Sequence, residues 1–161
     1  MKRLEQSLKT QEVHNVLLTG GASGMGRSAA LRLAGSGKQV FVADLNLEAA
    51  RETVAQITAI GGRARAVQVD VAQEASVAAM FSSLESSREG LDMLLHTAGI
   101  LGETCLADAL DFGDWKRILS VNLDGAFLCA RGAFRMMQRG QGGRIVLFSS
   151  VAGLQPTPGA A

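Results

Sequence analysis

Apolar and polar positions along the chain alternate between two periods. Val16 to Leu18 and Val40 to Ala43 are short continuous apolar runs. Runs without polar alternation fit strands covered on both faces. Between them, from about Met25, Ala29, Ala30, Leu33 and Ala34 share one helical face, which Gly35 and Gly37 end. Ala50, Val54 and Ile57 repeat that spacing up to Gly61-Gly62, and Ala64 to Asp70 reads as a third strand. Val77, Met80, Phe81 and Leu84 fall at i, i+3, i+4 and i+7, one face of a helix. Leu91 to Leu95 reads as a fourth strand and Ile145 to Ser149 as a fifth. A long helix is predicted from about Asp114 to Arg139 between them. Gly125 and Gly132 inside it lower helix propensity but permit close packing.

Strands separated by helices predict βαβ units, hence an α/β fold with a doubly wound parallel sheet and helices on both faces. No linker divides the 161 residues, so residues 1–161 read as part of one domain. The Gly/Pro-rich segment Pro156 to Ala161 reads as a loop.

Composition narrows the function classes. Apolar residues make up 47% and charged residues 19%, which suits a core-forming globular chain. The net charge is +1 and no dense Lys/Arg block occurs, which argues against a nucleic-acid surface. Arg131, Arg135, Arg139 and Arg144 read as a solvated rim, and Trp115 and Met136-Met137 as packing residues. No apolar run approaches membrane-spanning length. Met1 to Asn15 lacks the apolar core of a secretory signal, so a cytoplasmic location is expected. Cys105 and Cys129 are too far apart for a Cys-x-x-Cys pair and read as buried or half-buried thiols, with a disulfide or a catalytic thiol as alternatives. His14 and His96 lack local metal-ligand spacing, so no metal site is predicted.

Chemistry concentrates at Thr19-Gly20-Gly21-Ala22-Ser23-Gly24-Met25-Gly26, which follows a strand and opens a helix. A pyrophosphate at a helix N-terminus meets free backbone N–H groups and the positive end of the helix dipole. Gly20 suits the tight turn, while Gly24 and Gly26 suit close approach of backbone and ligand. Ser23 and Met25 lie inside the same turn and count as candidate contacts. The pattern also occurs as a plain strand–helix corner. Asp44 closes the second strand, 18 residues beyond Gly26 (44 − 26), near the spacing of a ribose-binding acid. Its carboxylate suits the 2′- and 3′-hydroxyls of an adenosine ribose and would repel a 2′-phosphate. The alternative is that Asp44 caps the helix beginning near Leu47.

With these features in order, the chain resembles a classical short-chain dehydrogenase/reductase from about Asn15 to Ala161. Thr19-Gly20-x-x-x-Gly24-x-Gly26 resembles that family's cofactor turn, and Asp70-Val71 the pair that contacts adenine. His96-Thr97-Ala98-Gly99 stands where the family has Asn-Asn-Ala-Gly, with Thr97, Ala98 and Gly99 as implied cofactor contacts. Thr97 can supply a shorter hydroxyl in place of an asparagine. His96 reads as structural or as a cofactor contact, with a catalytic base as the alternative. Val121-Asn122-Leu123 resembles the segment of the active-site asparagine, and the catalytic serine aligns with Ser150. Read without the resemblance, Asn122 is a polar helix residue or a local hydrogen-bond partner, and Ser149-Ser150 are strand-end hydrogen-bonding groups.

The resemblance implies a Rossmann-type fold and hydride transfer between NAD and a small-molecule carbonyl or alcohol. It also implies homo-oligomers of the full-length protein, without nucleic-acid or membrane partners. The family's Tyr-x-x-x-Lys motif follows the serine by about a dozen residues, whereas these 161 residues contain no tyrosine. The sequence therefore reads as the front part of a longer enzyme, with later strands of the sheet missing, and is expected not to turn over substrate as it stands. A non-catalytic dinucleotide-binding module or pseudoenzyme is the alternative.

Overall fold

The computed structural model describes residues 12–87, 89–103 and 105–155. Residues 1–11 and the predicted loop from Pro156 to Ala161 lie outside them. One sheet contains five parallel strands: β1 (Asn15–Thr19), β2 (Gln39–Asp44), β3 (Arg63–Gln68), β4 (Met93–His96) and β5 (Arg144–Leu147). Their order is β3-β2-β1-β4-β5. The chain winds outward from β1 to β3, then crosses to the other side of β1 to form β4. Winding therefore reverses between β1 and β4, and crevices at such reversals lie beyond the carboxyl ends of the strands.

Side chains of consecutive strand residues point to opposite faces, so the apolar runs serve two cores. Leu17, Phe41, Ala43 and Leu94 pack with Val77, Met80, Phe81 and Leu84 of α3 (Glu74–Ser86) and Cys129, Ala133 and Met137 of α5 (Gly125–Gln138). Val16, Leu18, Val40, Val42 and Leu95 pack with Ala30 and Ala34 of α1 (Gly24–Gly35) and Ala50 and Ile57 of α2 (Leu47–Ala59). The central strands carry no polar alternation because both of their faces are covered. Full burial of each Leu, Val or Phe contributes roughly 1.5–3 kcal/mol.

The predicted long helix is interrupted. It comprises α4 (Phe112–Leu119), one π-helical turn over Ser120–Asp124, and α5. Asp111 starts it, accepting hydrogen bonds from the backbone N–H groups of Gly113 (2.7 Å) and Asp114 (3.2 Å). A π turn widens the ladder by one residue, which periodicity alone does not reveal. Close packing at Gly132 is real: a Cβ there would lie 2.2 Å from the Phe81 ring.

One surface expectation changes. Trp115 is 43% exposed and, with Phe112, Leu110 and Ala107, lines an open apolar groove rather than the core. The arginines stay on the solvated rim, where Arg131 pairs with Glu74 and Arg139 with Glu85 at 2.8 Å, both acids on α3. The third and fifth strands also end earlier than predicted, so Val69, Asp70, Phe148 and Ser149 follow strands rather than belong to them.

Candidate functional site

A cleft of about 370 Å³ opens at the carboxyl ends of β1, β2 and β4, beside the reversal. The eleven candidate cofactor residues all line it: Gly20, Ser23, Gly24, Met25, Gly26, Asp44, Asp70, Val71, Thr97, Ala98 and Gly99. Leu45, Val69, Ile100 and Val121 join them. These four carry no chemical signal in the sequence. Adjacency to Asp44, Asp70, Gly99 and Asn122 was the only available cue.

The turn between β1 and α1 requires glycine. Gly20 has φ +72°, and a Cβ there would lie 2.7 Å from the backbone nitrogen of Ala98. At Gly26 a Cβ would lie 2.0 Å from the carbonyl oxygen of Gly20 and 2.7 Å from Thr97 Oγ1. The turn thus lies directly against the segment after β4. Ser23 is the residue preceding α1 and makes no side-chain capping hydrogen bond, and no acid occupies the first turn. First-turn N–H groups lack intrahelical acceptors, so an anion has donors to meet here.

Asp44 is fixed by backbone donors. Its Oδ2 accepts from Ala22 N–H at 2.9 Å and its Oδ1 from Asn46 N–H at 3.0 Å. It does not cap the following helix. Asn46 does so, its Oδ1 accepting from Ala49 N–H at 3.1 Å. On the adenine side of the reading, Asp70 Oδ1 accepts from Ala72 N–H at 3.0 Å.

Thr97 donates through Oγ1 to the Thr19 carbonyl at 2.8 Å, while its backbone N–H bonds the same oxygen at 3.1 Å. The hydroxyl therefore links β4 to the start of the turn. His96 is only 2% exposed, and its Nδ1 lies 2.7 Å from Thr19 Oγ1. Burial lowers its pKa, which keeps the ring neutral. It does not line the cleft, so its position suits a structural role and not that of a base.

Asn122 lies in the π turn and makes two long-range bonds. Its Oδ1 accepts from Ile100 N–H at 2.8 Å and its Nδ2 donates to the Ile100 carbonyl at 2.9 Å. The reading as a local helix partner is overturned, since the partner is 22 residues away. Ser150 is exposed and does not line the cleft. Its Oγ accepts from Ala152 N–H at 3.1 Å, beginning a short 3-10 turn at Val151–Gly153. The structure thus gathers the turn, the acid and the β4 segment, holds Asn122 at their border, and leaves Ser150 outside. Among the described residues, no three His, Cys, Asp or Glu side chains cluster as a metal site, and no helix is long and apolar enough to cross a membrane.

A doubly wound sheet with a glycine-lined cleft at its reversal defines a dinucleotide-type α/β domain. The chain belongs to the short chain dehydrogenase family, whose model matches residues 14–161. It is 42% identical over 147 residues to the uncharacterized oxidoreductase YgfF of Escherichia coli (strain K12), covering 89% of this chain and 60% of the relative. It is 38% identical over 138 residues to cyclohexanol dehydrogenase of Acinetobacter sp. (strain SE19), covering 86% and 55%. Among solved structures, NAD+-bound xylitol dehydrogenase superposes with a TM-score of 0.88 at 30% identity, covering 94% of this chain and 58% of that one. The chain spans 52% to 60% of the length of curated relatives it matches.

Proposed function

We propose that the protein is an oxidoreductase moving hydride between NAD and a small-molecule carbonyl or alcohol, and that residues 1–161 are the N-terminal portion of its single dinucleotide-binding domain. The observation that carries this reading is the meeting, in one cleft, of an uncapped helix N-terminus, a glycine turn without room for a side chain at Gly20 or Gly26, and Asp44. When bound, the nicotinamide supplies the redox chemistry, and the protein's part is to orient it. In this reading Gly20, Ser23, Gly24, Met25 and Gly26 receive the pyrophosphate, and Asp44 receives the adenosine ribose. Asp70 and Val71 border the adenine, and Thr97, Ala98 and Gly99 border the nicotinamide half. Asn122 supports that wall, and Ser150 is the substrate-side hydroxyl.

Two finer points belong to the same proposal. Asp44 favours NAD over NADP because a carboxylate at the ribose repels a 2′-phosphate. Exposed Phe127 and Phe134 on α5 support a homo-oligomer of the full-length protein, and a cytoplasmic location belongs to the same reading.

Titrating the full-length protein with NADH, followed by nicotinamide fluorescence, tests the reading. Saturable micromolar binding that Gly26→Val abolishes is expected; equal affinity in that variant would remove the cleft from consideration. The 161 residues contain no tyrosine, so a polypeptide of only these residues should not turn over substrate. Carbonyl reduction by the full-length protein separates an enzyme from the second reading, a non-catalytic dinucleotide-binding module.

A further inference from the structure

Both N–H groups and both carbonyls of Gly21 and Ala22 are held, the N–H groups by β2 and the carbonyls by two helices. Gly21 N–H donates to the Ala43 carbonyl at 3.2 Å, and Ala22 N–H to Asp44 Oδ2. The two carbonyls face the other way. Thr53 of α2, fully buried, donates through Oγ1 to the Gly21 carbonyl at 3.2 Å, sharing that proton with the Ala49 carbonyl. Arg27 of α1 donates from Nη2 to the Ala22 carbonyl and from Nε to Thr53 Oγ1 at 3.2 Å. Glu52 lies 3.8 Å from the same guanidinium and offsets its charge.

We infer that Thr53 and Arg27 are positioning residues that keep the turn's carbonyls away from the cleft, so that the turn offers donors to a pyrophosphate. The inference rests on the dinucleotide reading of the cleft. In a trans peptide, C=O and N–H point in opposite directions. Holding the Ala22 carbonyl at Arg27 therefore aims the Ser23 N–H away from Arg27, and Ser23 lines the cleft. A flipped peptide would aim the negative end of a carbonyl dipole at the ligand. The Ala22–Ser23 peptide turns about Ala22 and Ser23, and the bond from Arg27 to the Ala22 carbonyl opposes that rotation. Thr53 serves both ends of the device: it accepts from Arg27 and donates to Gly21.

The experiment uses full-length protein with Thr53→Val, Thr53→Ser and Arg27→Met. Val keeps the shape of Thr and loses the hydroxyl; Met keeps the stem of Arg at a site that is one-third exposed, so folding is retained there. Dissociation constants are measured for NADH, ADP-ribose and adenosine by direct or competitive titration. Thr53→Val and Arg27→Met should weaken NADH and ADP-ribose about tenfold and leave adenosine unchanged, because adenosine has no phosphate to meet the turn. Thr53→Ser should stay within about twofold of the parent. Equal weakening for adenosine, or unchanged ADP-ribose affinity in Arg27→Met while the parent binds, would overturn the inference alone. Failure of the parent to bind NADH would overturn the dinucleotide reading beneath it.

Discussion

Thr19 Oγ1 and His96 Nδ1 meet at 2.7 Å in the interior, at paired positions of neighbouring strands. The other ring nitrogen, Nε2, is buried without a hydrogen-bond partner. Desolvation lowers the pKa of His96, so folding selects the neutral ring. In the unfolded chain the same ring takes up a proton below about pH 6.5. The unfolded state then holds more protons, so stability should fall as pH drops through 6.5 and level off below the lowered native pKa. The slope of this component is at most about 1.4 kcal/mol per pH unit. Urea unfolding of full-length protein across pH 5 to 7.5 should show it in the parent, and His96→Asn should remove it. An unaltered slope in that variant would assign the effect elsewhere.

Gly26 and Gly24 should respond differently to alanine. At Gly26 the new Cβ overlaps the Gly20 carbonyl, which is backbone and cannot swing aside. Overpacking of this kind costs about 1–3 kcal/mol and should weaken NADH more than tenfold by displacing the turn. At Gly24 nothing lies within 4 Å and only φ +50° opposes a side chain, a cost of roughly 1–2 kcal/mol. Thermal melts with parallel NADH titrations would separate the two. Equal affinity losses would argue that backbone conformation, and not space, governs the turn.

Replacing Asp44 should cost stability as well as cofactor preference. Asn in its place can accept from only one of Ala22 N–H and Asn46 N–H while facing the other with a donor. Asp44→Asn should narrow the preference for NAD(H) over NADP(H) by about 1–3 kcal/mol and lower the melting temperature of the ligand-free protein. Competitive binding of the two dinucleotides and a melt without ligand measure both effects. A preference unchanged by the substitution would detach Asp44 from the ribose.

Asn122→Ala should loosen the loop after β4. Both amide bonds to Ile100 disappear, at about 0.5–1.5 kcal/mol each. Asn122→Asp should do worse than a nearly isosteric change suggests, because its second oxygen would face the Ile100 carbonyl. Hydrogen exchange at Ile100 N–H reports the loss directly. Protection equal to the parent in both variants would show that the loop is held by other contacts.

The two thiols should differ in reactivity. Burial pushes the Cys129 thiol up to about 12, whereas Cys105 is partly exposed. Thiolate is the reactive form, so an aromatic disulfide at pH 8 should modify Cys105 quickly and Cys129 only on unfolding. Timed mass spectrometry of the 161-residue segment within the full-length protein would follow each site. Rapid labelling of Cys129 in folded protein would show that its pocket opens.

The sequence disclosed the fold where burial is symmetrical. Val40 to Ala43 is apolar throughout because α2 and α3 lie on opposite sides of β2, so run and strand coincide. Glycines with Asp44 disclosed the cleft because each is constrained by one local geometric demand. Thr53 and Arg27 were not legible, since a threonine and an arginine on helical faces acquire meaning only when α1 and α2 are packed together. The π turn was hidden for a related reason: one residue of extra winding alters no residue type. Ser150 shows the opposite limit, where a recognisable position does not by itself bring the hydroxyl into the cleft.

The π turn makes the helix an indexing device. An α-helix rotates by about 100° per residue, so one additional residue offsets everything on its far side by that angle. Within the turn the extra residue serves Asn122, whose amide must reach Ile100; beyond it the offset serves Cys129, Ala133 and Met137, which must face β4 and α3. Deleting a residue anywhere in Ser120–Asp124 would regularise the helix and still be ruinous, because no single rotation satisfies both ends. The segment is consequently constrained in its residue count throughout, and away from Val121 and Asn122 substitutions there should be tolerated where length changes are not.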